Sequence, residues 1–233
     1  MALPQLNVPK YELKIPSTGV KASYRPYLVK EEKILMIAIE SEDSAQMSNA
    51  LKEVIDECTF KKLKINDLTL FDIEYIFAKL RAKSVGETSE VKLPCEKCEQ
   101  PNEVTIDLEG VDVTAMPAKK IELTSDTGLV MKFPSMADYL DIQNSNLDNV
   151  GRIFAIIVAS IDSIYSGDEM FDAKSHTHAE LNDFVESLNA DQFKKVQAFL
   201  NEMPAAFVNA DFKCEGCGHD NHIELKGMMN FFA

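Results

Sequence analysis

Four of the five cysteines occur as two Cys-x-x-Cys pairs, Cys95 with Cys98 and Cys214 with Cys217. A turn of this kind lets two thiolates converge on one cation, and two such turns complete a tetrahedral shell of four sulfurs. The sequence therefore predicts a structural Zn²⁺ bound by Cys95, Cys98, Cys214 and Cys217. Four thiolates suit iron as well as zinc, so the residue types leave the identity of the ion open.

The two pairs lie in a short internal repeat. The run CEKCEQPNEVTIDLEG begins at Cys95, and CEGCGHDNHIELKG begins at Cys214. Both copies read Cys-Glu-x-Cys, then three residues, then Asn, then a strand-prone run. Segment 99–213 separates the pairs and is far longer than the roughly 15 to 20 residues of a usual zinc ribbon. The pairs can still share an ion if an inserted subdomain returns the chain to its starting point, because loop-closure entropy grows only logarithmically with length.

Other interpretations of these residues stay open. A dithiol redox pair also uses Cys-x-x-Cys, although neither pair opens a helix after a strand as thioredoxin-like motifs do. The thiols could also simply stay reduced. His219 and His222 flank the second pair and could replace or contact a thiolate, whereas exposed loop histidines are the simpler interpretation. His176 and His178 form a His-x-His, but a helix-capping motif over Thr177–Glu180 explains it without a metal.

Charge and missing motifs argue against several classes of function. The 38 acidic and 24 basic side chains give a formal charge of -14 at pH 7, which disfavours a nucleic-acid-binding zinc ribbon. The sequence has no phosphate-binding loop, nucleophile elbow or HExxH motif. Four cysteine ligands would leave the ion no open position for water. We therefore expect a protein that is not an enzyme; the alternative is a cytosolic zinc- or carboxylate-dependent hydrolase.

Targeting signals and apolar runs bear on where the chain resides. The N-terminus has no apolar stretch typical of a secretion signal. The most apolar run, residues 153–161, is far shorter than the roughly 20 residues that a membrane helix requires. We expect a cytosolic chain with no membrane span, in which this run is a buried helix.

Both helices and strands are predicted among the elements that must position the cysteines. We expect an α+β fold, a mainly helical body with β-hairpins and a split zinc-ribbon-like module of four cysteines. Residues 1–87 should contain a hairpin and three helices, with Cys58 as a small buried side chain. Residues 88–134 should form hairpins that carry the first zinc knuckle. Residues 135–205 should be helical, and residues 206–233 should carry the second knuckle and a tail, packing with 88–134.

Three blocks of the sequence, at residues 11–41, 67–87 and 212–232, resemble the baseplate hub proteins of T4-like bacteriophages. They begin YELKIPSTGV, DLTLFDIEYI and FKCEGCGHDN. The resemblance implies a non-catalytic structural or assembly component of the central baseplate hub of a contractile-tailed phage. Its partners would be other hub proteins, in the host cytoplasm during assembly or in the tail baseplate of the virion. The resemblance does not separate a hub subunit from an assembly factor, and self-association stays open.

Two segments could contact such partners. The C-terminal run GMMNFFA, residues 227–233, is rich in Met and Phe and would be adhesive if exposed, or could pack onto the chain's own core. The segment from Tyr24 to Lys33 carries Arg25, Lys30 and Lys33 in an otherwise acidic chain. A solvated helix face is the simpler interpretation of this second segment.

Overall fold

The computed structural model describes residues 7–227, apart from the side chain of residue 44. Within this range the chain forms seven α-helices and eleven β-strands in four small antiparallel sheets, which confirms the mixed α+β class. Two compact units are present, one built from the chain up to residue 114 together with the chain from residue 205, the other from residues 115–204. The finer division into four segments stays a prediction.

The elements follow one another along the chain in three groups. The first group is β1 (Tyr11–Lys14), β2 (Lys21–Tyr24), α1 (Val29–Glu40), α2 (Ser44–Cys58), α3 (Leu70–Ser84), β3 (Thr88–Pro94), β4 (Pro101–Asp107) and β5 (Asp112–Val113). The second group is β6 (Lys120–Glu122), β7 (Thr127–Met131), α4 (Met136–Gln143), α5 (Asn149–Ala159), β8 (Ile161–Ser166), β9 (Glu169–Asp172), α6 (His178–Glu186) and α7 (Ala190–Asn201). The chain then returns to the first unit with β10 (Ala206–Lys213) and β11 (Asp220–Lys226).

Helix α3 organises the first unit. The Thr69 hydroxyl accepts the N–H of Asp72, and the Asp72 carboxylate accepts the N–H of Thr69, so the two residues cap the helix reciprocally. Asp72 also accepts the N–H of Ser17 from the turn between β1 and β2. One face of α3 packs on an apolar cluster that both β3–β4 and β10–β11 supply; its members include Ala78, Ala82, Val91, Val104, Ile106, Val208, Ala210 and Leu225. The two cysteine-bearing hairpins therefore share one core.

Only part of the basic segment at residues 24–33 is exposed to solvent. The Arg25 guanidinium forms a 2.8 Å ion pair with Glu31, whose side chain is almost completely buried. Burial alone would raise the pKa of Glu31, but the hydrogen bonds from Arg25, from the Leu28 N–H and from Lys30 outweigh it and lower the pKa. Arg25 is thus tied into the structure, and of the three basic side chains only Lys30 and Lys33 are exposed.

The expectation for Cys58 is confirmed. This residue is completely buried at the end of α2, and burial raises the pKa of its thiol to about 12. A thiol of this kind stays protonated at neutral pH and packs as a small hydrophobic side chain.

The second unit contains the strands β8 and β9 within residues 135–205, which were predicted to be helical. Its sheet has the strand order β6-β7-β8-β9, and an apolar cluster joins this sheet to α5, α6 and α7. The expected buried helix over residues 153–161 ends at Ala159, and Ile161 begins β8. An apolar run that crosses a helix end and a strand start has no single periodicity, so the sequence could not separate them. Strand β9 has four residues, all exposed, so it lacks the alternation of a half-buried strand.

Among residues 7–227, no helix combines the length and the apolar character needed to cross a membrane. The Met- and Phe-rich residues after Gly227, proposed as a contact surface, lie outside the described residues.

Candidate metal centre

The four paired cysteines sit in two equivalent turns. The first cysteine turn, residues 95–100, joins β3 to β4, and the second, residues 214–219, joins β10 to β11. The flanking pairs Pro94–Pro101 and Lys213–Asp220 have the same register. Each turn begins with the same hydrogen bond, from the Cys95 N–H to the Gln100 carbonyl and from the Cys214 N–H to the His219 carbonyl. The half-repeat in the sequence is therefore a repeat in structure.

The two turns bring all four sulfurs together. The Sγ atoms of Cys95, Cys98, Cys214 and Cys217 lie within 4.8 Å of one another. The Cys95–Cys217 and Cys98–Cys214 pairs are each 3.7 Å apart, whereas a disulfide needs roughly 2.05 Å. A zinc tetrahedron with Zn–S bonds of roughly 2.3 Å has S–S edges of roughly 3.8 Å. The arrangement fits one ion in a shell of four sulfurs.

The long intervening segment does not separate the turns, because its ends meet. The Thr114 N–H donates to the Ala205 carbonyl at 3.1 Å, and the Ala205 N–H donates to the Thr114 hydroxyl at 3.1 Å. Strands β5 and β10 pair next to this point, Val113 opposite Ala206. The second unit is thus an insertion that leaves and re-enters the first unit at adjacent residues. The two cysteine pairs can share one ion only if the chain returns in this way.

Backbone N–H groups in the turns favour negative charge on the first cysteine of each pair. Hydrogen bonds from the Cys217 and Gly216 N–H groups lower the pKa of Cys214 to about 6. Burial opposes ionisation of Cys95, but the N–H groups of Cys98 and Lys97 outweigh it and lower its pKa. These donors are the ones that would offset the charge of a four-thiolate shell.

Cys98 behaves differently. The N–H of Gln100 acts to lower the pKa of Cys98, but the adjacent thiols of Cys217 and Cys214 outweigh it and raise the pKa to about 12. Cys98 and Cys217 are also exposed, whereas Cys95 and Cys214 are buried. One side of the four-sulfur cluster therefore faces solvent.

The histidines lie outside this cluster. His222 bonds through Nδ1 to the exposed Asp211 on β10 at 2.9 Å, which raises its pKa, and His219 contributes only its backbone carbonyl to the turn. The capping motif over Thr177–Glu180 is present, as the sequence predicted. Within residues 7–227, the four cysteines are the group of three or more potential metal ligands that the structure brings together.

The sequence showed the repeated asparagine without showing its role. Asn102 and Asn221 hold the same position in the two copies, seven residues after Cys95 and Cys214. The Asn221 Oδ1 accepts the Glu96 N–H at 2.9 Å, and the Asn102 Oδ1 accepts the Glu215 N–H at 3.0 Å. Each asparagine therefore bonds to the opposite cysteine turn. The equal spacing in the two copies was the only signal that could have found them.

The fifth residue of each cysteine turn has a left-handed backbone. It is Glu99 in the first turn, with φ of 59°, and Gly218 in the second, with φ of 69°. A residue with a Cβ is strained by roughly 1–2 kcal/mol in this conformation, and glycine is not. The repeat thus contains the same backbone position with and without strain.

Exchanging these residues should change stability in opposite directions. Glu99→Gly should stabilise the chain by about 0.5–1 kcal/mol, since the relief of strain exceeds the added entropy of the unfolded chain. Gly218→Ala should destabilise it by about 1 kcal/mol. Denaturant unfolding of both variants and the parent chain measures the difference. Equal destabilisation by both variants would contradict the prediction, and equal metal content in all three samples is the control.

A sequence model of the family described as T4 bacteriophage base plate protein matches residues 8–233. Neither a curated protein nor a solved structure matches the chain. The family match includes both cysteine turns and the inserted unit. Because it covers nearly the entire sequence, the chain belongs to the T4 bacteriophage base plate protein family.

Proposed function

We propose that the chain is a non-catalytic structural or assembly component of the central baseplate hub of a contractile-tailed phage. Membership of the baseplate family supports the baseplate role, since the match extends over residues 8–233 and not over a single module. The resemblance of three blocks of the sequence to baseplate hub proteins supports the placement in the hub. The chain would act through its surfaces, together with other hub proteins. It would do so in the host cytoplasm during assembly or in the tail baseplate of the virion.

A structural zinc bound by Cys95, Cys98, Cys214 and Cys217 is the second part of the proposal. The sulfur separations, all within 4.8 Å, support a single shared ion. Four thiolates saturate a tetrahedral shell, so the ion would have no position for water or substrate and would serve the fold. Its effect would be to fasten the hairpin β10–β11 to the hairpin β3–β4.

Two of the carboxylates with lowered pKa, Glu31 and Glu180, also favour a structural role over a hydrolase. A catalytic carboxylate pair would be expected in a cleft, with its pKa values displaced by the other members of the site. Glu31 instead holds Arg25 and caps α1, and Glu180 has its pKa lowered by hydrogen bonds from Thr177 at the start of α6. Both displacements follow from folding contacts.

Helix α1 offers an exposed apolar side that a baseplate partner could cover. Four apolar side chains of this 12-residue helix are between 46% and 79% exposed, namely those of Val29, Met36, Ile37 and Ile39. Apolar side chains grouped in this way are typical of protein contacts. We propose this side as a contact with another baseplate protein, with a second copy of the chain as the alternative partner.

Complementation of a phage that lacks the gene tests the role. Without the chain, lysates should contain no complete tails by electron microscopy, and the wild-type chain supplied in trans should restore tails and infectious progeny. The double variant Met36→Lys with Ile37→Lys should fail to restore them. Val20→Lys, which alters an equally exposed apolar residue outside α1, should succeed.

The result that would overturn the proposal is normal tail formation in the absence of the chain. Mass spectrometry of purified virions then separates the two versions of the role. A hub subunit remains in the virion, whereas an assembly factor is found only in hub intermediates from the infected cell.

A further inference from the structure

We propose that Asn102 and Asn221 are positioning residues of the metal centre, which lock the two cysteine turns together and place the four sulfurs before an ion binds. The inference rests on the proposed metal site. It adds a reason why two hairpins from distant parts of the chain present their thiols at a common point.

The two contacts between the cysteine turns are reciprocal. Each asparagine accepts an N–H from the opposite turn, and in both cases the donor is the residue directly after the first cysteine, Glu96 or Glu215. Two equivalent hydrogen bonds therefore cross between the hairpins in opposite directions. A displacement of one turn relative to the other would break both bonds.

The nitrogen end of each asparagine amide is also hydrogen bonded. The Asn102 Nδ2 donates to the Gln100 carbonyl at 2.8 Å, and the Asn221 Nδ2 donates to the His219 carbonyl at 3.1 Å. Gln100 and His219 are the last residues of the two turns. Each amide thus ties the end of its own turn to the start of the other turn, and this requires an acceptor and a donor on one short side chain.

Burial shields these bonds from water. Asn102 is 4% exposed and Asn221 is 1% exposed, so water does not compete for their amides. Buried polar groups persist where their hydrogen bonds are satisfied, and removal of one partner leaves the other N–H or carbonyl unpaired. Asparagine at these positions is therefore matched to both turns.

The consequence for the metal site is preorganisation. If the turns were held only by the ion, the free energy of ion binding would have to order both of them. With the asparagine bonds in place, Cys95 and Cys214 start from fixed backbone positions. Substitutions of groups that orient metal ligands typically weaken metal binding by roughly 10- to 100-fold, and we expect that range here.

The test is a titration of the full chain with Co²⁺, whose absorption spectrum reports tetrahedral binding by four thiolates. The wild-type chain should bind one Co²⁺ with that spectrum. Asn102→Leu and Asn221→Leu should each weaken binding about 10- to 100-fold at a temperature where circular dichroism shows a folded chain. Asn209→Leu, at an exposed position of β10, is the matched control and should bind as the wild type does.

A failed titration of the wild-type chain and an unchanged affinity of the variants have different meanings. If the wild-type chain shows no four-thiolate spectrum, both the metal site and the inference fall. If the wild type shows it and both leucine variants bind Co²⁺ equally tightly, only the inference falls. Should the leucine variants not fold, Asn102→Ala and Asn221→Ala carry the measurement, since the small side chain removes both the acceptor and the donor without adding bulk; unchanged affinity in both would overturn the inference.

Discussion

Replacing both Cys95 and Cys214 by serine is expected to remove one zinc per chain and to lower the melting temperature by about 10 °C. The two residues are buried and come from different hairpins, so the double variant removes half of the sulfurs and one ligand from each turn. Ion binding contributes to folding free energy where the site does not exist in the unfolded chain. A loss of about 3–4 kcal/mol is expected and not more, because the hairpins keep their shared apolar core.

Elemental analysis and calorimetry on the same samples measure this expectation. Cys58→Ala is the control, since Cys58 is a buried cysteine outside the four-sulfur cluster, and this variant should keep its zinc. A wild-type chain without metal, with a melting temperature equal to that of the double variant, would sink the proposed site and reopen the interpretation of the two pairs as redox dithiols. The same analysis distinguishes zinc from iron.

The cysteine cluster could be predicted because its chemistry depends on residue types and on short spacings along the sequence. Two Cys-x-x-Cys pairs in similar local sequences predicted a shared site, and the turns at 95–100 and 214–219 place the sulfurs together. The cap at Thr177 followed from a local rule as well, a Thr-x-x-Glu motif. Features of this kind depend on neighbours in sequence.

The features that were missed depend on neighbours in space. Arg25 looked like part of a basic surface, but its partner Glu31 is buried, and the sequence does not show burial. The Glu96 and Glu215 backbone contacts of the two asparagines join residues more than a hundred positions apart. The strand β8 follows α5 after a single residue, so one apolar run served two elements.

A chain in which residues 115–204 are replaced by a two-residue Asn-Gly turn is expected to fold and to keep one zinc. Thr114 and Ala205 are hydrogen bonded to each other at the end of the antiparallel pair β5–β10, which is the geometry that a short hairpin turn closes. The apolar cluster beneath the two cysteine-bearing hairpins is made entirely by residues that the shortened chain retains. Calorimetry should show one cooperative transition, and elemental analysis should show one zinc.

The same shortened chain should fail to restore phage assembly, because the baseplate family match runs through the inserted unit as well as the metal centre. The shortened chain with Cys95→Ser and Cys214→Ser is the control for its zinc content. An aggregated or zinc-free product would contradict the view that the first unit is complete without the insertion. Restoration of complete tails would instead show that the first unit alone performs the baseplate role. A folded, zinc-binding chain that restores nothing would assign the missing contact to residues 115–204.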